Sequence, residues 1–168
     1  VFNSSFKDNL AEEGALIYNE GDAVITGVVD VLDGTTVYTS FIGDSAYLGS
    51  IYNANGKLTV ENVTFEGTDA YNGGAINLNG GSANVANTSF KGVQATNDGG
   101  AINVAAGSNA TIFGATFENS SATTGGAIYN AGDVKIVGAS FTGNTAEGEG
   151  GAIYSEDGSS LVLEAKQG

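Results

Sequence analysis

The 168-residue sequence has no cysteine, proline, histidine, methionine, tryptophan or arginine. Each absence closes off a kind of chemistry or architecture. Without cysteine there is no disulfide framework, no thiol nucleophile and no cysteine-type zinc site. Without histidine there is no imidazole acid, base or metal ligand, so Ser-His-Asp and Cys-His arrangements are excluded. The only cations are Lys7, Lys57, Lys91, Lys135 and Lys166, against 19 acidic residues and a net charge of −14. Such a surface repels phosphate backbones, so nucleic acid is not expected as a partner. The acidity reads as a device for solubility through self-repulsion. No apolar run nears the roughly 18 residues of a spanning helix, so no direct membrane insertion by this segment is expected. No basic and apolar leader opens the chain. The lack of proline leaves every backbone N–H free to donate, as interior strands require.

What the chain has instead is glycine and repetition. Its 27 glycines are more than twice the usual share. The phrase Gly-Gly-Ala-Ile occurs four times, ending at Ile76, Ile102, Ile128 and Ile153, in steps of 26, 26 and 25 residues. Weaker copies end near Ile17 and Ile51. A second signal keeps step with the first: Phe6, Phe41, Phe65, Phe90, Phe117 and Phe141, each preceded by Ser or Thr. A fixed period of this size marks a stacked repeat. No window has helical spacing. The unit from Gly125 to Glu149 holds short strand-like runs at Ala127-Ile128-Tyr129, Val134-Lys135-Ile136-Val137 and Ala139-Ser140-Phe141, bounded by Gly, Asn and Asp.

Three short strands and three turns in about 25 residues make one circuit of a parallel β-helix, with like positions stacked roughly 4.8 Å apart. The expectation is an all-β, right-handed parallel β-helix of six circuits, the hand following the crossover rule. The six Ile and six Phe should form inward stacks, and the Ser or Thr before each Phe should face out. Residues 1–168 read as a single β-helix domain. Its ends break a circuit in mid-phrase, with Leu161-Val162-Leu163 resembling the first strand of another circuit, so a piece of a longer surface protein is expected.

One circuit is irregular. Ile17 to Phe41 spans 24 residues, where other circuits use 13 to 15. The surplus falls within an insertion at 26–38, and Asp33-Gly34 between alternating apolar residues signals a hairpin. Either this is a binding loop using Asp30, Asp33, Thr35 and Tyr38, or it is a bulkier corner. Tyr18, Tyr52, Tyr129 and Tyr154 each follow a repeat Ile and should face out beside Asn19, Asn53, Asn130 and Ser155, with Asn77 and Asn103 in the Tyr place between. That strip of Tyr and Asn either binds glycans or proteins or only stabilises the ladder.

A polysaccharide lyase or hydrolase is the enzymatic alternative, with Asp30, Asp33 and Asp44 as candidate carboxylates. The absence of arginine and the scattered lysines argue against it, although Lys57 and Lys135 share one face in this reading. Gly56-Lys57 is followed by Leu58, so it is no phosphate loop. Acidic turns such as Glu12-Glu13, Glu20-Gly21-Asp22 and Glu156-Asp157-Gly158 match no calcium loop and read as solvated corners. No catalytic residue, metal site or cofactor is therefore expected.

Gly-Gly-Ala-Ile is joined by Phe-x-x-Asn, seen as Phe6-Lys7-Asp8-Asn9 and Phe141-Thr142-Gly143-Asn144, with Asp44 in the Asn place after Phe41. Thr68, Val93 and Ser120 fill that place in the other copies. Together the two phrases resemble the passenger repeats of chlamydial polymorphic outer-membrane proteins and the β-helical adhesin-like proteins of gut bacteria and methanogens. The resemblance implies a secreted, cell-surface adhesin or stalk of autotransporter type, exported by a separate barrel. It implies as partner a host-cell protein or glycan receptor, or another copy of the rod end to end.

Overall fold

The computed structural model describes residues 2–12, 14–29 and 36–166. Four parallel sheets form the walls, and each is six strands deep. One circuit runs Thr116–Glu118, Ser121–Ala122, Ile128–Asn130, Asp133–Val137. These strands belong in turn to the Phe sheet, the Ala sheet, the Ile sheet and the long sheet. The chain is thus the expected parallel β-helix, with four strands per circuit rather than three. The overlooked strand has two residues, too few to show alternation. Leu161-Val162-Leu163 lies in Ser160–Glu164, which pairs with Asp133–Val137 and completes the sixth circuit instead of opening another.

Register is maintained between like residues. Phe6, Phe41, Phe65, Phe90, Phe117 and Phe141 pair in order. Their ring centroids are 4.6 to 5.2 Å apart and interplanar angles stay at or below 13°. The repeat isoleucines stack in the same way, fully buried from Ile51 to Ile128. The long sheet adds two columns, one running Leu58, Ala83, Ala110, Val134 and the other Ile25, Val60, Val85, Ile112, Ile136. The core is one continuous apolar filling along the axis.

The corners explain the turn residues. Two positions after each Phe the backbone is left-handed, at Asp8, Gly43, Gly67, Gly92, Asn119 and Gly143. Gly, Asn and Asp are the residues that tolerate this region. The next residue turns inward, and there Asp44, Thr68, Val93 and Ser120 are all fully buried.

Asn19, Asn53 and Asn130 lie inside the coil, which corrects the expectation that they join the tyrosines outside. They sit two residues after the inward Ile, and period two returns them to the same side. Asn53 Nδ2 donates to Gly56 O at 2.8 Å and Gly80 O at 3.0 Å, while its Oδ1 accepts from Asn19 Nδ2 at 2.6 Å. The amide gives Gly56 O a second bond beside the one from Ser82 N, and it supplies the bond to Gly80 O.

In the irregular circuit, Val28–Val29 pairs antiparallel with Thr36–Val37. The pair projects between the long sheet and the Phe sheet, and the parallel coil resumes at Thr39–Ile42.

Candidate functional site

Of the residues singled out in the insertion, Asp30, Asp33 and Thr35 lie outside the described residues. Tyr38 is half exposed at the foot of the hairpin, beside the similarly exposed Val37. Asp44 is fully buried, and its Oδ1 accepts from Asn9 N at 2.8 Å and from Asn9 Nδ2 at 2.7 Å. It pins one corner to the next and has no access to a substrate. Lys57 and Lys135 occupy the same long sheet but adjacent columns, and Lys135 Nζ is engaged by Glu164 Oε1 at 2.9 Å.

Tyr18, Tyr52, Tyr129 and Tyr154 do share one outward column of the Ile sheet, in two pairs. Tyr18 and Tyr52 have centroids 5.1 Å apart, and Tyr129 and Tyr154 are stacked at 5.5 Å. Asn77 and Asn103 hold the two rungs between them, Asn77 in register with Tyr52 and Asn103 with Tyr129. Asn103 Nδ2 donates to Asn77 Oδ1 at 2.9 Å. The residue swap is paired: the inward Asn of the Tyr circuits becomes Leu78 and Val104 in the Asn circuits.

The chemistry around this column is acidic. Tyr129 Oη donates to Glu156 Oε2 at 3.0 Å. Burial, with this bond and the nearby carboxylates adding to it, pushes the Tyr129 phenol up to about 12. Burial raises the Asp98 carboxyl above the ordinary carboxylate value; a Thr124 hydrogen bond opposes the rise and Glu156 adds to it. Glu149 foremost raises the Tyr154 phenol.

A second surface was missed by the sequence reading. The outside of the Ala sheet forms a trough of about 730 Å³ along four circuits, lined among others by Asp69, Gln94, Thr96, Ser121, Thr123, Thr145 and Glu147. A further depression of about 390 Å³ continues it past Ser45, Tyr47 and Tyr71 to Leu10. Tyr47 and Tyr71 are exposed there and stack at 5.4 Å. The trough exists because the strand beneath turns an alanine inward in every circuit: Ala11, Ala46, Ala70, Ala95, Ala122 and Ala146. So small a side chain draws the wall toward the axis. An alanine five residues after every Phe was the available signal.

A family model described as a right handed beta helix region matches residues 48–165. The chain belongs to this family. Its coil is therefore right-handed, as the crossover rule requires. No curated protein and no solved structure gives a significant match. The family includes enzymes and non-enzymes, so membership fixes the scaffold and leaves the role to the surfaces.

Proposed function

We propose that this β-helix is a rod segment of a secreted, cell-surface adhesin that binds host-cell or neighbouring-cell ligands along its side. The observation that carries the reading is the trough on the Ala sheet. Its lining repeats circuit by circuit, so it suits an extended ligand held along its length rather than a small molecule enclosed in a pocket. The autotransporter-like phrases support an extracellular setting, and the acidic surface favours dispersion. Beads coated with the protein should attach to cells, and attachment should fall at least several-fold when Ser121→Arg and Thr145→Arg fill the trough. Unchanged attachment by that variant would remove the trough from the account, and no attachment by the parent would leave a spacer.

An enzymatic reading has one observation in its favour. Asp98, Thr124 and Glu149 follow one another in a column, since Asp98 bridges Thr124 and Gly125 N donates to Glu149 O. The backbones of Asp98 and Glu149 are then about 10 Å apart by strand spacing, just beyond the roughly 6.5–9.5 Å between the carboxyl groups of inverting glycosidases. The raised Asp98 carboxyl suits a general acid. Release of reducing ends from neutral or pectin-like polymers, lost in Asp98→Asn, would establish this reading over adhesion alone.

A further inference from the structure

The interruption in the tyrosine column is itself a site. Tyr52 and Tyr129 stand three rungs apart, roughly 14 Å at strand spacing, and the two rungs between them carry short side chains. Asn77 and Asn103 are only 6% and 7% exposed, yet they lie on the outward side of the sheet, opposite Ile76 and Ile102. They form the floor of a notch walled by tyrosine along the rod axis.

The floor is unsaturated. The single bond between the two amides uses Asn103 Nδ2 and Asn77 Oδ1. Asn77 Nδ2 and Asn103 Oδ1 have no hydrogen-bond partner among the described residues, and neither is sealed from solvent. A buried-side amide pair that offers one free donor and one free acceptor is poised for a ligand group that both accepts and donates. The walls add a different preference. Tyr154 stacks on one side of Tyr129, so the other face of the Tyr129 ring is turned to the notch. Its hydroxyl is tied back to Glu156, away from the gap. At the opposite wall the Tyr52 hydroxyl accepts from Asn79 Nδ2, which follows the Asn77 strand, so that ring is held leaning toward the gap. Fixed aromatic walls over a polar floor suit a ligand with an apolar face and hydroxyls at its edge. Asp98, Glu149 and Glu156 sit close enough to raise the Tyr129 and Tyr154 phenols, so an anionic ligand is repelled.

We propose that the notch between Tyr52 and Tyr129 binds neutral pyranose rings of an oligosaccharide, with the Asn77–Asn103 amides holding ring hydroxyls and the tyrosines covering the ring faces. The assignment rests on the adhesin reading for its biological setting but uses a face other than the trough, so the two fail separately. The test titrates the isotope-labelled protein with cellotetraose, chitotetraose, mannotetraose and tetragalacturonate, following side-chain amide signals by NMR. At least one neutral tetraose should shift the Asn77 and Asn103 side-chain amides, with a dissociation constant in the millimolar range or below. Tetragalacturonate should bind at least about tenfold more weakly. Filling the notch with Asn77→Tyr and Asn103→Tyr, residues this column already carries elsewhere, should abolish binding, and Tyr129→Ala should weaken it about tenfold. The Ser121→Arg, Thr145→Arg variant should bind as the parent does. The proposal is overturned if no neutral tetraose shifts those amides, or if binding survives the filled notch. Cell attachment by a notch-filled rod that is lost only in the trough variant would keep the adhesin and discard the notch as its receptor site. Sugar binding by a rod that attaches to no cell would do the reverse.

Discussion

At the residue scale the coil divides its buried polar side chains into those that are saturated and those that are not. Asn53 is fully buried with both ends of its amide bonded. Replacing it by Ala takes the Asn53 bond from Gly80 O and one of two bonds from Gly56 O and from Asn19 Nδ2, which keep Ser82 N and Gly21 O, and should cost about 1–3 kcal/mol in chemical denaturation. Thr68 is the contrary case, because its Oγ1 is buried with no partner. The same column carries Val93 one circuit on, so Thr68→Val should be neutral or stabilising by up to about 1 kcal/mol. A marked loss in that variant would mean that the hydroxyl has a role the geometry misses. Tyr129 gives a prediction in pH. Its folded phenol titrates near 12 against the ordinary 10.0, so the folded state holds the proton more tightly. The stability this contributes is complete below pH 10 and is lost as pH rises through 12. Glu156→Gln removes the bonded carboxylate and should lower the last tyrosinate step in an ultraviolet titration part of the way, leaving the larger share that burial causes. An unmoved step would contradict the contribution assigned to Glu156.

At the scale of elements, the corners and stacks decide which substitutions the coil accepts. Gly92 occupies the left-handed corner column, and a Cβ there meets nothing within 4 Å. Backbone strain alone should set the cost: Gly92→Asn is tolerated, as Asn119 shows one circuit on, while Gly92→Val costs about 1–2 kcal/mol. Gly125 is different, since its Cβ would lie 2.3 Å from Ile128 O as well as requiring a positive φ. Gly125→Ala should cost more than Gly92→Val. Phe90 is buried between Phe65 and Phe117, and truncation to Ala should cost about 3–5 kcal/mol. Comparative thermal melts of these four variants order them.

The same elements show what the sequence could and could not reveal. The Phe and Ile columns were legible because each recurs once per circuit in residues that have one reason to be there, burial. The glycines and Asn of the corners were legible as turns but not as columns, since the left-handed position is shared by three residue types. The two-residue Ala strand is too short to alternate, so only the recurrence of one Ala per circuit marks it, and the trough above it has no signal of its own. Asn19, Asn53 and Asn130 lie inside because the period of the strand outranks their polarity. The strip of Tyr and Asn is legible, with Asn77 and Asn103 in the tyrosine places; the bond between their amides is not, because only register sets the two side by side.

At the scale of the whole molecule, everything depends on circuits stacking without slip. One unslipped column places the tyrosine pairs on either side of the notch, and another keeps the trough continuous. A shift of one residue would turn the Phe stack outward and the Ser and Thr column inward. The protein has no cysteine, so pairs of nitroxide labels can be placed without background. The exposed column Asp22, Lys57, Asn109, Asp133, Ser160 shares one register through Ser82 on the long sheet. Labels at Asp22 paired with Asn109, Asp133 or Ser160 lie three, four and five rungs apart, and pulsed dipolar distances should lengthen by about 4.8 Å per rung, from roughly 14 to 24 Å before label offset. Equal increments along the column would establish the stacked coil in solution; distances that do not grow with rung number would contradict it.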